Sequence, residues 1–217
     1  MPIERHFECD FQRGGYKPVE SSLRHAETSL SLHISMLPFL LVCSAIALAV
    51  PTLGQSVDES EVKAAYLYNF TKFVEWPSAM FANSNEPFVI CVLGEEHTSD
   101  VLEQSIQGKK ANGRSIRMRR PHSLQEFKSC HVLFVGFSDK DRTAKVLHDL
   151  RGSSVLTVGQ SEDFLPLGGM INMNRHDRNI ELEIDPEIPG MVGLKVSSRL
   201  LVVARIVKIQ HETGTEK

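Results

Sequence analysis

Three short apolar runs, each bounded by turn residues, constrain this chain more than any other feature: Phe88–Leu93 between Pro87 and Gly94, His131–Phe137, and Ser154–Val158. A strand with one wet face alternates apolar and polar residues, whereas an unbroken apolar strand must be covered on both sides. The runs therefore predict a largely parallel sheet with helices on both faces. Helical segments of fitting length lie between them. Thr98 or Ser99 opens one through Val101, Leu102, Ser105 and Ile106, ended by Gly108. Another spans Asp139–Leu150, with Ala144, Leu147 and Leu150 on one side. Residues 115–119 alternate, turning Ile116 and Met118 inward and Arg117 and Arg119 outward, and a short helix is expected at Ser123–Phe127.

Upstream of these, Asp58 or Ser60 can cap a helix that runs to Val74 and stops before Pro77. Val62, Ala65, Tyr66, Asn69, Phe70, Phe73 and Val74 fall near helical spacing. Such a broad aromatic stripe is usual for core packing; the other reading gives Tyr66, Phe70 and Trp76 a ligand pocket or an interface. The last third differs in pattern. Met170–Asn174 and Asn179–Asp185 read as an antiparallel hairpin joined by Arg175-His176-Asp177-Arg178, and after Pro186 and Pro189 a long terminal helix is expected over Leu194–Ile209. No linker, repeat or low-complexity tract interrupts residues 57–210. The expected fold is α/β in a single domain, with a mixed, mostly parallel sheet flanked by helices on both faces, a C-terminal hairpin and a long terminal helix.

Residues Met36–Val50 form an apolar run too short for a comfortable membrane span, which takes roughly 20 residues, but suited to the core of a secretory signal. Ala47 and Ala49 supply an A-x-A-like cleavage site, with a second near Gln55, so residues 36–55 read as a cleaved leader. Residues 1–35 then read as a gene-model extension or a long leader, and 211–217 as a disordered tail. An uncleaved anchor is the alternative; a lipoprotein signal at Cys43 is disfavoured because Leu40-Leu41-Val42 lacks the small residue such a site prefers. Cleavage removes Cys9 and Cys43 and leaves Cys91 and Cys130. An even pair in an exported domain favours a disulfide, while two separate buried thiols remain the alternative.

No catalytic constellation assembles from the sequence. It lacks G-x-S-x-G, H-E-x-x-H and the glycine loops of nucleotide sites, so the chain reads as a binding module and not an enzyme, with no cofactor. Gly168-Gly169 precedes a strand, which suits a tight turn. Two cysteines without C-x-x-C and without a histidine cluster argue against zinc. The net charge of −3 gives no reason to expect nucleic acid or an anionic membrane as partner. Two local cation groups stand out as candidate partner or ligand contacts: the stretch from Lys109 to Arg120, above all Arg117 and Arg119, and the hairpin tip with Arg175, His176 and Arg178. A solvated strand face and a solvated turn account for them as well.

Taken together, KAAYLYNFTKFVEWP, FVICVLGEE, GKKANGRSIRMRR, CHVLFVG, VLTVGQSEDF, GGMINM and GLKVSSRLLVVARIV resemble the YfiR family, in the family's order, across roughly residues 60–209. The resemblance implies a periplasmic α/β protein, often a homodimer, that restrains a YfiN-type inner-membrane diguanylate cyclase by binding its periplasmic region. It also implies that an outer-membrane lipoprotein can relieve the restraint, so that cyclic-di-GMP and biofilm formation respond to the envelope. Cys91 and Cys130 match a cysteine pair that is disulfide-bonded in relatives; the second disulfide of some relatives has no residues here. The competing expectation is a periplasmic small-molecule sensor domain serving a histidine kinase or another envelope receptor.

Overall fold

The computed structural model describes residues 58–176 and 179–209. The expected leader at 36–55, the segment 1–35, the tail at 211–217 and Arg178 lie outside the described residues.

Asp58 opens α1 (Glu59–Phe73) by accepting a hydrogen bond from the Ser60 backbone N–H at 3.0 Å. A two-residue strand, β1 (Val74–Glu75), and a 3-10 turn (Ser78–Met80) follow. The chain continues through β2 (Phe88–Leu93), α2 (Glu96–Ile106), β3 (Lys110–Ala111), β4 (Arg114–Arg119), α3 (Leu124–Lys128), β5 (Val132–Val135), α4 (Lys140–Asp149) and β6 (Leu156–Gly159). It ends with β7 (Ile171–His176), β8 (Asn179–Ile184), α5 (Glu187–Met191), β9 (Lys195–Val196), α6 (Ser198–Val203) and β10 (Arg205–Ile206). Side-chain caps fix several starts: Ser123 accepts from Glu126 N–H before α3, and Asp139 from Arg142 N–H before α4.

Eight strands form one sheet in the order β10-β8-β7-β6-β5-β2-β4-β3. Five of its seven neighbouring pairs are parallel, and only β7/β8 and β3/β4 run antiparallel. In β7/β8 the register runs from Ile171 opposite Ile184 to His176 opposite Asn179, so Arg175 and His176 belong to the strand and not to its connection. β1 and β9 make a separate antiparallel pair.

The unbroken apolar strands divide their residues between two cores. Phe88, Ile90 and Val92 of β2 pack with Val132 and Phe134 of β5 beneath Ala64, Leu67 and Phe70 of α1 and Leu102 and Ile106 of α2. Val89, Cys91 and Leu93 face the other way, with Leu133 and Val135, against Val146 and Leu147 of α4 and Leu150 just after it. That is the two-sided burial the sequence demands. On the second face the Phe164 ring packs against the backbones of Gly159 and Gly169, where a Cβ would overlap the ring. Gly168 adopts φ +97°, which suits glycine in the turn before β7.

The Cys91–Cys130 disulfide joins β2 to a position two residues before its parallel neighbour β5, with Cα atoms 5.9 Å apart. Both cysteines are fully buried in the second core.

Two expectations need correction. The buried face of α1 is Ser60, Lys63, Ala64, Leu67, Phe70 and Thr71, rotated away from the apolar stripe at Val62, Ala65, Tyr66 and Asn69. Lys63 is accommodated on that face because its ammonium lies 2.9 Å from a Glu59 oxygen and 3.4 Å from a Glu95 oxygen. The long terminal helix over Leu194–Ile209 is not formed. Ser197 accepts from Arg199 N–H and starts α6 late, and Ala204 ends it in extended conformation after six residues. Val202, Val203, Ile206 and Val207 are β-branched and weak in helices, while β8 offers an open edge. Arg205 and Ile206 pair with Glu183 and Ile184, and Val207 N–H donates to Ile184 C=O at 2.9 Å.

Candidate functional site

Open α/β sheets commonly hold ligands outside the carboxyl ends of strands where the strand order reverses. Here that point lies between β2 and β5, because β2 leads to β4 on one side and β4 then returns to β5 on the other. The crevice is filled by the protein itself. Glu95 follows β2, and its Oε2 accepts from Thr98 Oγ1 at 2.7 Å, while its Oε1 takes Gln160 Nε2 at 2.8 Å and Lys63 Nζ at 3.4 Å. A Cβ on Gly136, just after β5, would overlap the Glu95 side chain. Burial raises the Glu95 pKa, but the hydrogen bonds from Gln160 and Thr98 and the Lys63 charge outweigh it and leave the carboxyl below its ordinary value. The result is an ionic cluster across the crevice, and surface features join the candidates for function.

One such feature is an aromatic cleft of about 390 Å3 beside the end of α1, lined by Lys72, Trp76, Phe81, Phe88, Asn112 and Arg114. Trp76 meets Phe88 edge-on at 4.7 Å between centroids and donates its indole N–H to the His131 carbonyl at 3.0 Å. Behind the wall the His131 ring stacks against both Phe81 and Phe88, at 4.4 and 4.6 Å, in a three-ring cluster. Its Nδ1 accepts from Val89 N–H at 3.1 Å, and its Nε2 is buried. Burial holds the imidazole neutral, with its pKa lowered to about 4. Arg114 lies 3.9 Å over the Phe81 ring and donates to the carbonyls of Asn83 and Glu86.

The three aromatic residues expected to act together differ in exposure. Trp76 lines the cleft, Phe70 is fully buried in the core, and Tyr66 is half-buried with its ring 6.3 Å from that of Phe70. The hairpin cations are separated. Arg175 Nη1 bonds Glu59 Oε2 at 2.8 Å, and His176 Nε2 lies 3.5 Å from Glu181 Oε2. As neighbours in one strand they point to opposite faces. Arg117 and Arg119, two apart in β4, share an exposed face.

Sequence reasoning missed the most exposed apolar group. Val202 is 84% exposed, Val203 68% and Ile206 43%, all within the last helix and strand. Three large aliphatic side chains so close together in the chain are left to water, which makes this segment a candidate contact surface. A signal was present in VVARIV, but a long amphipathic helix would have turned part of it inward. Near α5, Met191 is 64% exposed at the rim of a groove of about 480 Å3 with a mixed lining that includes Leu147, Leu150, Arg151, Thr157 and Ile188.

The class defined by these features is a disulfide-bonded α/β domain whose usual ligand crevice holds an ionic cluster of its own side chains. Residues 60–205 match a family model described as YfiR/HmsC-like, and the chain belongs to that family. It is a family of periplasmic regulators of cyclic-di-GMP signalling and not a known enzyme family. Among the described residues no helix is long and apolar enough to cross a membrane.

Proposed function

We propose that this protein is exported by a cleaved signal peptide and restrains an inner-membrane diguanylate cyclase by stoichiometric contact with the cyclase's periplasmic region. The exposed Val202, Val203 and Ile206 carry this reading, because an apolar surface of that kind is stabilised when a partner covers it. Family membership supplies the signalling context. An outer-membrane lipoprotein that binds the protein in competition would lift the restraint, and a homodimer is the proposed free form. Deletion of the gene is expected to raise cellular cyclic-di-GMP, and plasmid-borne wild-type protein to restore it. Val202→Asp/Val203→Asp, placed at exposed positions that the fold does not need, is expected to accumulate normally and fail to restore it. Unchanged cyclic-di-GMP on deletion removes the proposal.

The cleft at Trp76 and Arg114 favours one second reading, a sensor of small molecules that serves a histidine kinase or another receptor. A thermal-shift screen separates the two, since a molecule bound to the folded state alone raises its melting temperature.

A further inference from the structure

The sheet has one edge that is open and strongly charged. Ile116 to Arg119 of β4 pair with Phe88 to Cys91 of β2 on one side only; on the other, β3 reaches no further than Arg114 and Ser115. Among the described residues, half of the backbone N–H and C=O groups of those four residues therefore lack a strand partner on the outer side. Lys110 stands directly across from Ser115, so Lys110, Ser115, Arg117 and Arg119 share one face of this edge, and all four are exposed. Nearby basic residues are committed within the chain: Arg120 to Asp100 at 2.6 Å, Arg114 to the Asn83 and Glu86 carbonyls, and Lys109 to the Tyr68 ring. Arg117 and Arg119 have no carboxylate partner among the described residues.

Such an edge is a template for an added strand. The charges decide which strand. A second copy of this chain pairing edge to edge would set arginines against arginines, and like charges placed opposite each other in a sheet are destabilising. An extended segment with acidic residues at alternate positions matches instead. Its carboxylates would repeat every two residues, about 6.6 Å, which is the spacing of Arg117 and Arg119 along β4, and planar guanidinium groups can take carboxylates with two hydrogen bonds each. We infer that the outer edge of β4 binds an extended acidic segment of a partner protein as a ninth strand, with Arg117 and Arg119 selecting alternate acidic side chains. This surface is separate from the Val202 and Val203 contact and does not rest on the identity of the cyclase.

A fluorescein-labelled octapeptide alternating Glu with Thr serves as the probe, titrated with the purified protein in an anisotropy assay. Saturable binding is expected, weakened at least tenfold by Arg117→Glu/Arg119→Glu and weakened similarly when alternate peptide amides are N-methylated to remove strand hydrogen bonds. Hydrogen exchange should show new protection at residues 116–119 on binding, and Val202→Asp/Val203→Asp should leave the affinity unchanged. Equal binding of the N-methylated peptide would reduce the contact to simple charge attraction and overturn the inference. Equal binding by the arginine variant, or no saturable binding, would overturn it too. The probe contains nothing of the cyclase, so either result leaves the regulatory proposal to its own test.

Discussion

Reducing the Cys91–Cys130 bond perturbs the fold without deleting an atom from the core. The cysteines are 39 residues apart in sequence, and both sulfurs sit among Val89, Leu133, Val135 and Leu147, so the thiols keep their packing after reduction. What changes is the unfolded chain, which gains the freedom of an open loop. For a loop of about 40 residues the chain-entropy relation gives about 13 cal/mol/K, or about 4 kcal/mol at 25 °C. For a domain of this size that corresponds to a drop in melting temperature of roughly 8–16 °C. Urea unfolding of the purified protein, with and without reductant, reads both the midpoint and the slope. The midpoint should fall, and the slope should rise because the reduced unfolded chain exposes more surface. A loss below about 1 kcal/mol would refute the reasoning, since it would mean that the two regions are held in register by packing alone.

Replacing Gly159 with Ala places a methyl group in the Phe164 ring, and a cost of about 1–3 kcal/mol is expected in urea unfolding, against little effect for Gly190→Ala, where the added Cβ meets nothing. The buried His131 makes stability depend on pH in a stated direction. Its folded pKa, about 4, lies below the ordinary 6.5, so between those values the unfolded chain takes up a proton that the folded chain refuses. Stability should therefore fall as pH drops from 6.5 towards 4, and His131→Leu should be less stable at pH 7, having lost the acceptor for Val89 N–H, but flatter across that window. Identical pH slopes for the two proteins would count against a neutral buried imidazole.

The core of this fold is written locally, and its outskirts are not. Runs such as FVICVL announce a doubly covered strand because every residue must be apolar, and Asp58, Ser123 and Asp139 mark helix starts because their side chains cap within three residues. The C-terminal segment misled for the opposite reason. Apolar residues at helical spacing there are also β-branched, and the deciding influence, the open edge of β8, is not encoded in that stretch. Burial of Lys63 was hidden likewise, since Glu95 lies 32 residues away in sequence. At the hairpin, Arg175 looks free in sequence because Glu59 is 116 residues distant. The cleft was half legible. Trp76 was visible as a candidate, but Phe81 and Arg114 reach it from a loop and from β4, and only folding brings them together.

The central claim, restraint through an exposed apolar contact, is tested most directly by isothermal titration of the protein purified from the periplasm into the isolated periplasmic region of the membrane cyclase. The account predicts saturable binding at one protein per cyclase protomer, weakened at least tenfold, or about 1.4 kcal/mol, by Val202→Asp/Val203→Asp. Absence of binding, or equal affinity of the wild-type and variant proteins, would contradict it.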